Sequence, residues 1–214
     1  MGLWLTRVCN LESIRCLWLR YPVARRLANL CLLASAMFPS LTPAQAPVFV
    51  ISPEHSSIKF HVKASMNIAG KFDKWDAALT FTSPDETTGV LEINIQAASV
   101  DTGSGLKNGK LKGKDFFDAE RNPVIMFKST KFVQTGPHAF EVDGEFTIRG
   151  VPNPEKLTLT VCRKGTGVDE ITGAMVFNRK NYGMNKGIPF ISIADHVDVQ
   201  FHLREKQVSG PPQT

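Results

Sequence analysis

The residues best suited to bind a charged partner form a short lysine-rich segment. Lys107, Lys110, Lys112 and Lys114 place four ammonium groups within eight residues. Positive charge of this density attracts a pyrophosphate group or the anionic surface of a membrane, provided that the segment lies at the edge of the folded domain. The alternative is a solvated loop whose lysines serve only solubility. The sequence alone leaves both interpretations open.

The histidines and hydroxyl-bearing residues give little support for metal binding or catalysis. His196 and His202 are six residues apart, which is about 20 Å in an extended chain and too far for one metal ion. Asp101 and Ser129 have no histidine placed by sequence to act as their base, so no hydrolytic triad is indicated. The sequence therefore predicts no metal site and no catalytic residues.

A second polar group is the D-F-F-D segment at residues 115–118. We expect it to anchor its loop, because the two phenylalanines can pack beneath the chain while the aspartates cap turns or a helix end. Arg149 and Arg179 are candidate ion-pair partners for these two carboxylates.

The elements that must position these residues are β-strands. From residue 47 onward, apolar and polar residues alternate with a period of two, which is typical of strands with one buried face. Residues such as Ser83-Pro84-Asp85 separate the runs as turns. Eight or more strands without intervening helical runs indicate one antiparallel all-β domain, either a sandwich or a barrel of about eight strands. Residues 104–120 interrupt the alternation and are predicted to form a loop or a short helix.

Large aliphatic and aromatic side chains fill the inward positions of these predicted strands. In a barrel of about eight strands, such side chains either pack solid or surround a cavity for one apolar ligand. The alternation alone favours solid packing but leaves the cavity as an alternative.

Composition and charge separate the first 44 residues from the rest of the chain. They hold five arginines and one glutamate, which leaves 20 basic and 19 acidic residues elsewhere, so we expect no nucleic-acid partner. Arg25 and Arg26 precede an apolar run over residues 27–38, and prolines and small residues follow it. This pattern predicts a signal peptide over residues 1–44, cleaved near residues 44–46, and a periplasmic or secreted mature protein. A buried or amphipathic helix is the alternative.

A series of short motifs over residues 48–204 resembles the YceI-like family. They are S-P-E-H-S-S-I-K-F at 52–60, G-K-F at 70–72, A-S-V-D-T at 98–102, D-F-F-D at 115–118, P-V-I-M-F-K-S at 123–129 and G-E-F-T-I-R-G-V at 144–151. The resemblance implies an exported bacterial protein with a lipocalin-like antiparallel barrel. The barrel domain would span residues 47–206, and residues 207–214 would form a flexible tail.

The resemblance also implies a ligand, a polyisoprenoid chain such as an isoprenoid quinone or a polyprenyl phosphate. The barrel would hold this lipid in an elongated apolar cavity for sequestration or transport, without catalytic activity and without another cofactor. The cavity would be lined by large inward side chains: Ile58, Phe60, Val62, Phe72, Leu79, Phe81, Leu91, Ile93, Ile95, Phe127, Phe140, Val142, Phe146, Ile148, Val199 and Phe201. Candidate contacts for the lipid head group are His55, Lys107, Lys110, Lys112 and Lys114.

Two other functions stay open at this point: an enzyme that acts on such a lipid, and an interaction domain with a solid core. The sequence departs from the commonest family pattern at residues 103–114, and residues 185–191 resemble an insertion, which leaves the preferred head group open. A transient contact with a membrane surface is an expectation from the lysines. The sequence does not distinguish a monomer from a homodimer.

Overall fold

The computed structural model describes residues 48–65, 68–83, 85–163, 168–187 and 191–209. These residues belong to one structural unit, which begins at Ala44. The predicted signal peptide and residues 210–214 of the predicted tail lie outside the described residues. The predicted boundary between barrel and tail is three residues too early, because the last strand continues through Ser209 and pairs there with Val48.

The described residues form eleven β-strands and one α-helix. The strands are β1 Val48–Ile51, β2 Ser57–Ala64, β3 Ile68–Phe72, β4 Trp75–Phe81, β5 Gly89–Gln96, β6 Val100–Asp101, β7 Val124–Gly136, β8 Ala139–Ile148, β9 Val151–Arg163, β10 Val168–Asn178 and β11 Ile193–Ser209. The helix α1, Gly105–Lys112, lies within the segment that was predicted to be a loop or a short helix.

Six of the eleven strands are halves of three longer, interrupted strands. β1 and β2 lie end to end along one edge of β11, where Ile51 pairs with Glu205 and Ser57 pairs with His202. In the same way β4 and β3 lie beside β1 and β2, and β5 and β6 lie beside β4 and β3. Counted as continuous elements, the strands number eight, as the sequence predicted.

The three interruptions follow one another across the sheet. They are the 3-10 turn Pro53–His55, a bend at residues 73–74 and the 3-10 turn Ala97–Ser99. The backbone N–H of Asp73 donates to the Ser99 carbonyl at 3.2 Å, and that of Gln96 donates to the Lys74 carbonyl at 2.9 Å. Because these bonds satisfy backbone groups released at the breaks, neighbouring strands can bend together without leaving polar groups unpaired.

The eight strands close into a barrel. Each strand pairs antiparallel with the strand that precedes it and the strand that follows it, and β11 pairs with β10 along one edge and with β1 and β2 along the other. The pairings therefore run around a closed circuit. This result confirms the predicted all-β class and decides between sandwich and barrel in favour of an up-and-down barrel.

The connections alternate between the two ends of the barrel. Those after β2, β6, β8 and β10 lie at the end that carries α1, called here the α1 end; those after β4, β7 and β9 lie at the opposite end. The Asn108 amide holds α1 against β6: its Oδ1 accepts from the Thr102 N–H at 2.8 Å, and its Nδ2 donates to Asp101 at 3.2 Å. Phe116 and Phe117, just after the helix, are buried, as the D-F-F-D motif predicted.

Candidate functional site: an apolar cavity at the α1 end

The barrel interior contains a cavity of about 90 Å³ near its α1 end. Residues from eight of the strands, from α1 and from the two longest connections at that end surround it. The lining residues are Ile58, Phe60, Val62, Ile68, Phe72, Ile93, Ile95, Leu111, Phe116, Phe117, Ile125, Phe127, Phe146, Ile148, Leu157, Met175, Phe177, Arg179, Met184, Ile193, Val197, Val199 and Phe201. Of these 23 side chains, only Arg179 is charged and the others are apolar.

Aromatic rings form two continuous parts of the cavity wall. Phe60, Phe72 and Phe117 follow one another with ring centroids 5.5 and 5.8 Å apart. On another part of the wall, Phe146 contacts Phe127 at 6.5 Å and Phe177 at 5.2 Å. These separations are within the range of favourable aromatic pairs, so the rings hold one another in place around the cavity.

The opposite end of the barrel is filled by side chains. Phe49 and Phe81 form an edge-to-face pair at 5.7 Å, and Phe132 and Phe140 form another at 6.5 Å. The space left near these rings is a pocket of about 30 Å³ that also touches Glu205. The two alternatives for the interior are therefore both realised, with solid packing at one end and a cavity at the other.

Eleven of the sixteen predicted lining residues surround the cavity at the α1 end. The other five do not. Leu79, Phe81 and Phe140 line the small pocket at the opposite end, whereas Leu91 and Val142 are buried in the core and line neither space. The predicted set is corrected accordingly, because alternation places a side chain inside the barrel but does not give its height along the barrel axis.

Twelve lining residues were not in the predicted set. Several continue the inward parity of a predicted strand, for example Leu157 on β9 and Met175 and Phe177 on β10. Leu111, by contrast, comes from α1, and Phe116 and Phe117 come from the irregular chain after it. No strand period covers that segment, so the alternation offered no signal for their inward orientation.

Arg179 is buried at the cavity with its guanidinium fully used by the protein. Its Nε donates to the Ala194 carbonyl at 3.1 Å, and its Nη1 donates to the carbonyls of Met184 and, at 3.2 Å, Lys186. Its Nη2 donates to the Ile193 carbonyl at 3.4 Å and to the Asp195 carboxylate at 3.2 Å. These bonds use all five donors of a guanidinium, so none remains for a ligand. The expected pairing of Arg179 with the D-F-F-D aspartates is wrong.

Tyr182 is completely buried behind the rings of Phe146 and Phe177, at centroid distances of 5.7 and 5.3 Å. Its hydroxyl donates a 2.9 Å hydrogen bond to Glu155 Oε1. Burial, followed by the hydrogen bond to the Glu155 carboxylate, raises the pKa of the Tyr182 phenol above its ordinary value. The hydroxyl is therefore a fixed neutral donor that supports the aromatic wall from outside the cavity.

The five predicted head-group residues do not line the cavity. His55 is exposed in the 3-10 turn between β1 and β2, whereas the lysines lie on α1 and in the chain after it. Lys110 Nζ lies 2.6 Å from Asp115 Oδ2, and this hydrogen bond holds the pKa of the Asp115 carboxyl below its usual range. Leu111 of the same helix lines the cavity, so the lysines lie on or directly after the helix that covers it.

The surface of the α1 end is basic and carries one conspicuous apolar residue. The described residues of the four connections at this end include nine lysines and arginines, of which Arg179 is buried, and three acidic residues, whereas the described residues of the opposite connections include two acidic residues and no lysine or arginine. Leu106, on the first turn of α1, is 87% exposed. Positive charge is thus concentrated at the end of the barrel where the cavity lies.

Within the described ranges, no group of three or more His, Cys, Asp or Glu side chains could hold a metal ion. His61 lies 3.9 Å from the carboxylate of Asp198, and His202 lies 3.8 Å from that of Glu170, each on a neighbouring strand. No helix in the described part of the chain has the length and apolar character required to cross a membrane.

Comparison with known sequences identifies a family that covers most of the barrel. Residues 49–204 match the family model described as the YceI-like domain. A UPF0312 protein of Shewanella denitrificans is 27% identical over 160 residues, a match that covers 71% of this chain and 83% of that protein. A UPF0312 protein of Staphylococcus aureus is 28% identical over 145 residues, covering 64% and 82%.

Solved structures share the fold. BcnA of Burkholderia cenocepacia superposes with a TM-score of 0.66 and 26% identity, over 72% of this chain and 98% of that structure. A polyisoprenoid binding domain from Saccharophagus degradans, described as implicated in plant cell wall breakdown, gives a TM-score of 0.61 at 17% identity. That match covers 76% of this chain and 99% of the domain.

Proposed function

The chain belongs to the YceI-like domain family, and from this membership and the cavity we propose that it is a binding protein for an isoprenoid-type lipid. The observation that carries the proposal is the wall of the cavity, in which 22 of 23 side chains are apolar. The structural neighbour from Saccharophagus degradans, named as a polyisoprenoid binding domain, supports the choice of ligand.

The apolar wall of the cavity favours entry of the hydrocarbon part of the ligand. Burial of apolar surface contributes about 25 cal/mol per Å², so a long hydrocarbon chain gains affinity from contact with the wall alone. A polar group inside would lose its hydration without finding a partner, because the donors of Arg179 are already used. We therefore place the isoprenoid tail inside the barrel and the head group outside.

The cavity must widen to accept a long chain. Its volume of about 90 Å³ is below the roughly 300–1,000 Å³ of pockets that enclose drug-sized ligands. Met175 and Met184 contribute unbranched, flexible side chains to the lining, and such side chains change rotamer at low cost. Rearrangement of these side chains, together with Leu111 on α1, is the proposed route by which the lipid gains space.

The basic α1 end supplies a partner for the outer part of the ligand. Lys107, Lys112 and Lys114 lie on α1 or directly after it, close to the Leu111 contact with the cavity. Their charge favours a phosphate-bearing head group and the anionic surface of the membrane from which a lipid is taken. Exposed Leu106 would insert into that surface, as apolar residues of interfacial helices do.

The proposal includes export of the chain. The arginine-preceded apolar run at residues 27–38 and the small residues near 44–46 support cleavage of a signal peptide and a periplasmic or secreted location. The amino-terminal sequence of protein recovered from culture medium or a periplasmic extract would locate the cleavage site. Protein that stays in the cytoplasm with residues 1–44 attached would contradict this part of the proposal.

Native mass spectrometry of the purified mature protein, followed by solvent extraction, tests whether the protein binds an isoprenoid lipid. A co-purifying mass that resolves to an isoprenoid quinone or a polyprenyl phosphate would support the carrier function and identify the ligand. Protein that is empty and also fails to bind added ubiquinone-8 and undecaprenyl phosphate would contradict it and favour an interaction domain. Conversion of the added lipid to a new product would instead indicate an enzyme.

A further inference from the structure

Three inward-facing glycines of the barrel each lie against a phenylalanine ring from the neighbouring strand. Gly70 on β3 is directly paired with Phe60 on β2, and Gly173 on β10 is directly paired with Phe201 on β11. Gly144 on β8 lies diagonally across from Phe127 on β7. All three phenylalanines line the cavity, so the same arrangement recurs at three places on its wall.

The rings occupy the space that a side chain on the glycine would fill. A Cβ atom added at Gly173 would lie 1.9 Å from Cζ of Phe201, one at Gly144 would lie 2.5 Å from Cζ of Phe127, and one at Gly70 would lie 2.6 Å from Cζ of Phe60. Real Cβ atoms essentially never approach other heavy atoms this closely. The outer end of each ring therefore occupies the space next to the backbone of the neighbouring strand that a Cβ atom would fill.

We propose that Gly70, Gly144 and Gly173 determine the width of the lipid cavity by giving three phenylalanine rings a place against the wall. Glycine in a strand interior has a cost, since it adds backbone entropy to the unfolded chain and contributes no packing of its own. Here the cost is offset because the missing side chain lets a large ring cover the strand, the arrangement called aromatic rescue. This inference rests on the proposed function for its ligand and extends it to the residues that set ligand capacity.

Gly173 provides the cleanest test of the three. The nearest atoms around its added Cβ all belong to the Phe201 ring, whereas the Cβ at Gly70 would also meet the Asp101 carbonyl oxygen at 2.9 Å and that at Gly144 the Lys128 carbonyl oxygen at 2.7 Å. A ring can rotate away from a methyl group, but strand backbone cannot yield without disturbing the sheet. Gly173→Ala should therefore move one ring toward the barrel axis and leave the strands in place.

Binding of ubiquinone-8 to the mature protein measures the effect. In Gly173→Ala we expect the affinity to fall by roughly tenfold or more, which is the scale of core overpacking. Combining Gly173→Ala with Phe201→Leu removes the displaced ring and should restore most of the binding. Gly136→Ala is the matched control, because its added Cβ would meet only the Ala139 Cβ at an ordinary 3.6 Å. Wild-type affinity in Gly173→Ala, or no recovery in the double variant, would overturn the inference.

A second measurement tests the role of the glycines without any lipid. Xenon bound to crystals under pressure reports apolar free volume whether or not a lipid binds. We expect less xenon in the cavity of Gly173→Ala than in that of the wild type. We expect more xenon in Phe201→Leu, and this second variant still tests the inference if Gly173→Ala does not fold. Failure of wild-type protein to bind either ubiquinone-8 or undecaprenyl phosphate would contradict the proposed function alone, whereas unchanged xenon occupancy in the variants would contradict the role of the glycines.

Discussion

The Arg179 guanidinium lies 3.2 Å from the Asp195 carboxylate, at the other end of the connection between β10 and β11. The same guanidinium also donates hydrogen bonds to backbone carbonyls in and beside that connection. Arg179 directly follows β10 as the first residue of a 3-10 turn, and Asp195 is near the start of β11. The carbonyls of Met184 and Lys186 lie on one side of the connection and those of Ile193 and Ala194 on the other. One buried side chain therefore holds together the part of the α1 end that borders the cavity.

Replacement of this arginine should destabilise the barrel more than replacement of its neighbour. Arg179→Met keeps a long apolar stem but leaves the bonded carbonyls without their donors and Asp195 with Lys180 as its remaining partner, and we expect a loss of about 2–4 kcal/mol in the free energy of unfolding. Urea titration measures it. Lys180→Met is the control, since Lys180 pairs with the same carboxylate at 2.8 Å but is half exposed, and little change is expected. Equal stabilities of the two variants would contradict the structural role of Arg179.

The buried phenol of Tyr182 should make stability depend on pH only in the alkaline range. Burial raises its pKa in the folded state above the value of about 10 in the unfolded chain. Below pH 10 both states keep the proton, so stability is unaffected; above it the unfolded state alone loses the proton, and stability should fall by up to about 1.4 kcal/mol per pH unit. The Tyr182→Phe variant should not show this loss of stability above pH 10. Because Tyr182 is the only tyrosine after residue 44, phenolate absorbance of the mature protein reports it directly.

Loss of ring volume at the two ends of the barrel should have different effects on ligand binding. Phe177 lines the cavity, Phe140 packs at the opposite end, and both are buried. Phe177→Leu and Phe140→Leu should each cost about 1–2 kcal/mol of stability. Only Phe177→Leu should change the affinity for ubiquinone-8, measured by fluorescence quenching or calorimetry. A matching change in Phe140→Leu would place the ligand along the whole barrel instead of at the α1 end.

The basic α1 end should bind anionic membranes in a salt-dependent way. Each lysine near such a surface contributes roughly 1 kcal/mol, so Lys107→Gln combined with Lys114→Gln should weaken binding to phosphatidylglycerol-containing vesicles at least tenfold. Leu106→Ser should weaken it further by removing the inserting side chain. Lys59→Gln, an exposed lysine on β2, is the control. Vesicle sedimentation that shows equal binding for all variants would exclude α1 as the contact.

The strand alternation was sufficient to predict the fold class, because one parity of each run is buried in the finished barrel. Phe140, Val142, Phe146 and Ile148 on β8 all face inward as expected. Yet two of them line the cavity and two do not. The period of a strand carries no information on its shift relative to its neighbours, and that shift decides which height of the barrel a residue occupies.

The contacts of the irregular segments at the α1 end were predicted least well. Arg179 and Asp195 are sixteen residues apart and are joined only by the path of the connection between β10 and β11. Phe116 and Phe117 were expected to anchor a loop, which they do, but their contact with the cavity follows from where that loop lies over the barrel. Irregular segments have no periodic signal, so such contacts become visible only in three dimensions.

The pairing of Val48 with Ser209 has a consequence for how the domain folds. Neighbouring strands elsewhere in the barrel are also neighbours in order along the chain, whereas β11 must find β1 and β2 across nearly the whole domain. Closing such a long loop is the slow, entropically costly step, so we expect the hairpins to form first and the barrel to close last. Until then the cavity has no enclosing wall. A circular permutant that joins residue 209 to residue 48 and opens the chain at residues 137–138 would turn this long-range closure into a local hairpin while keeping every strand beside its present neighbours.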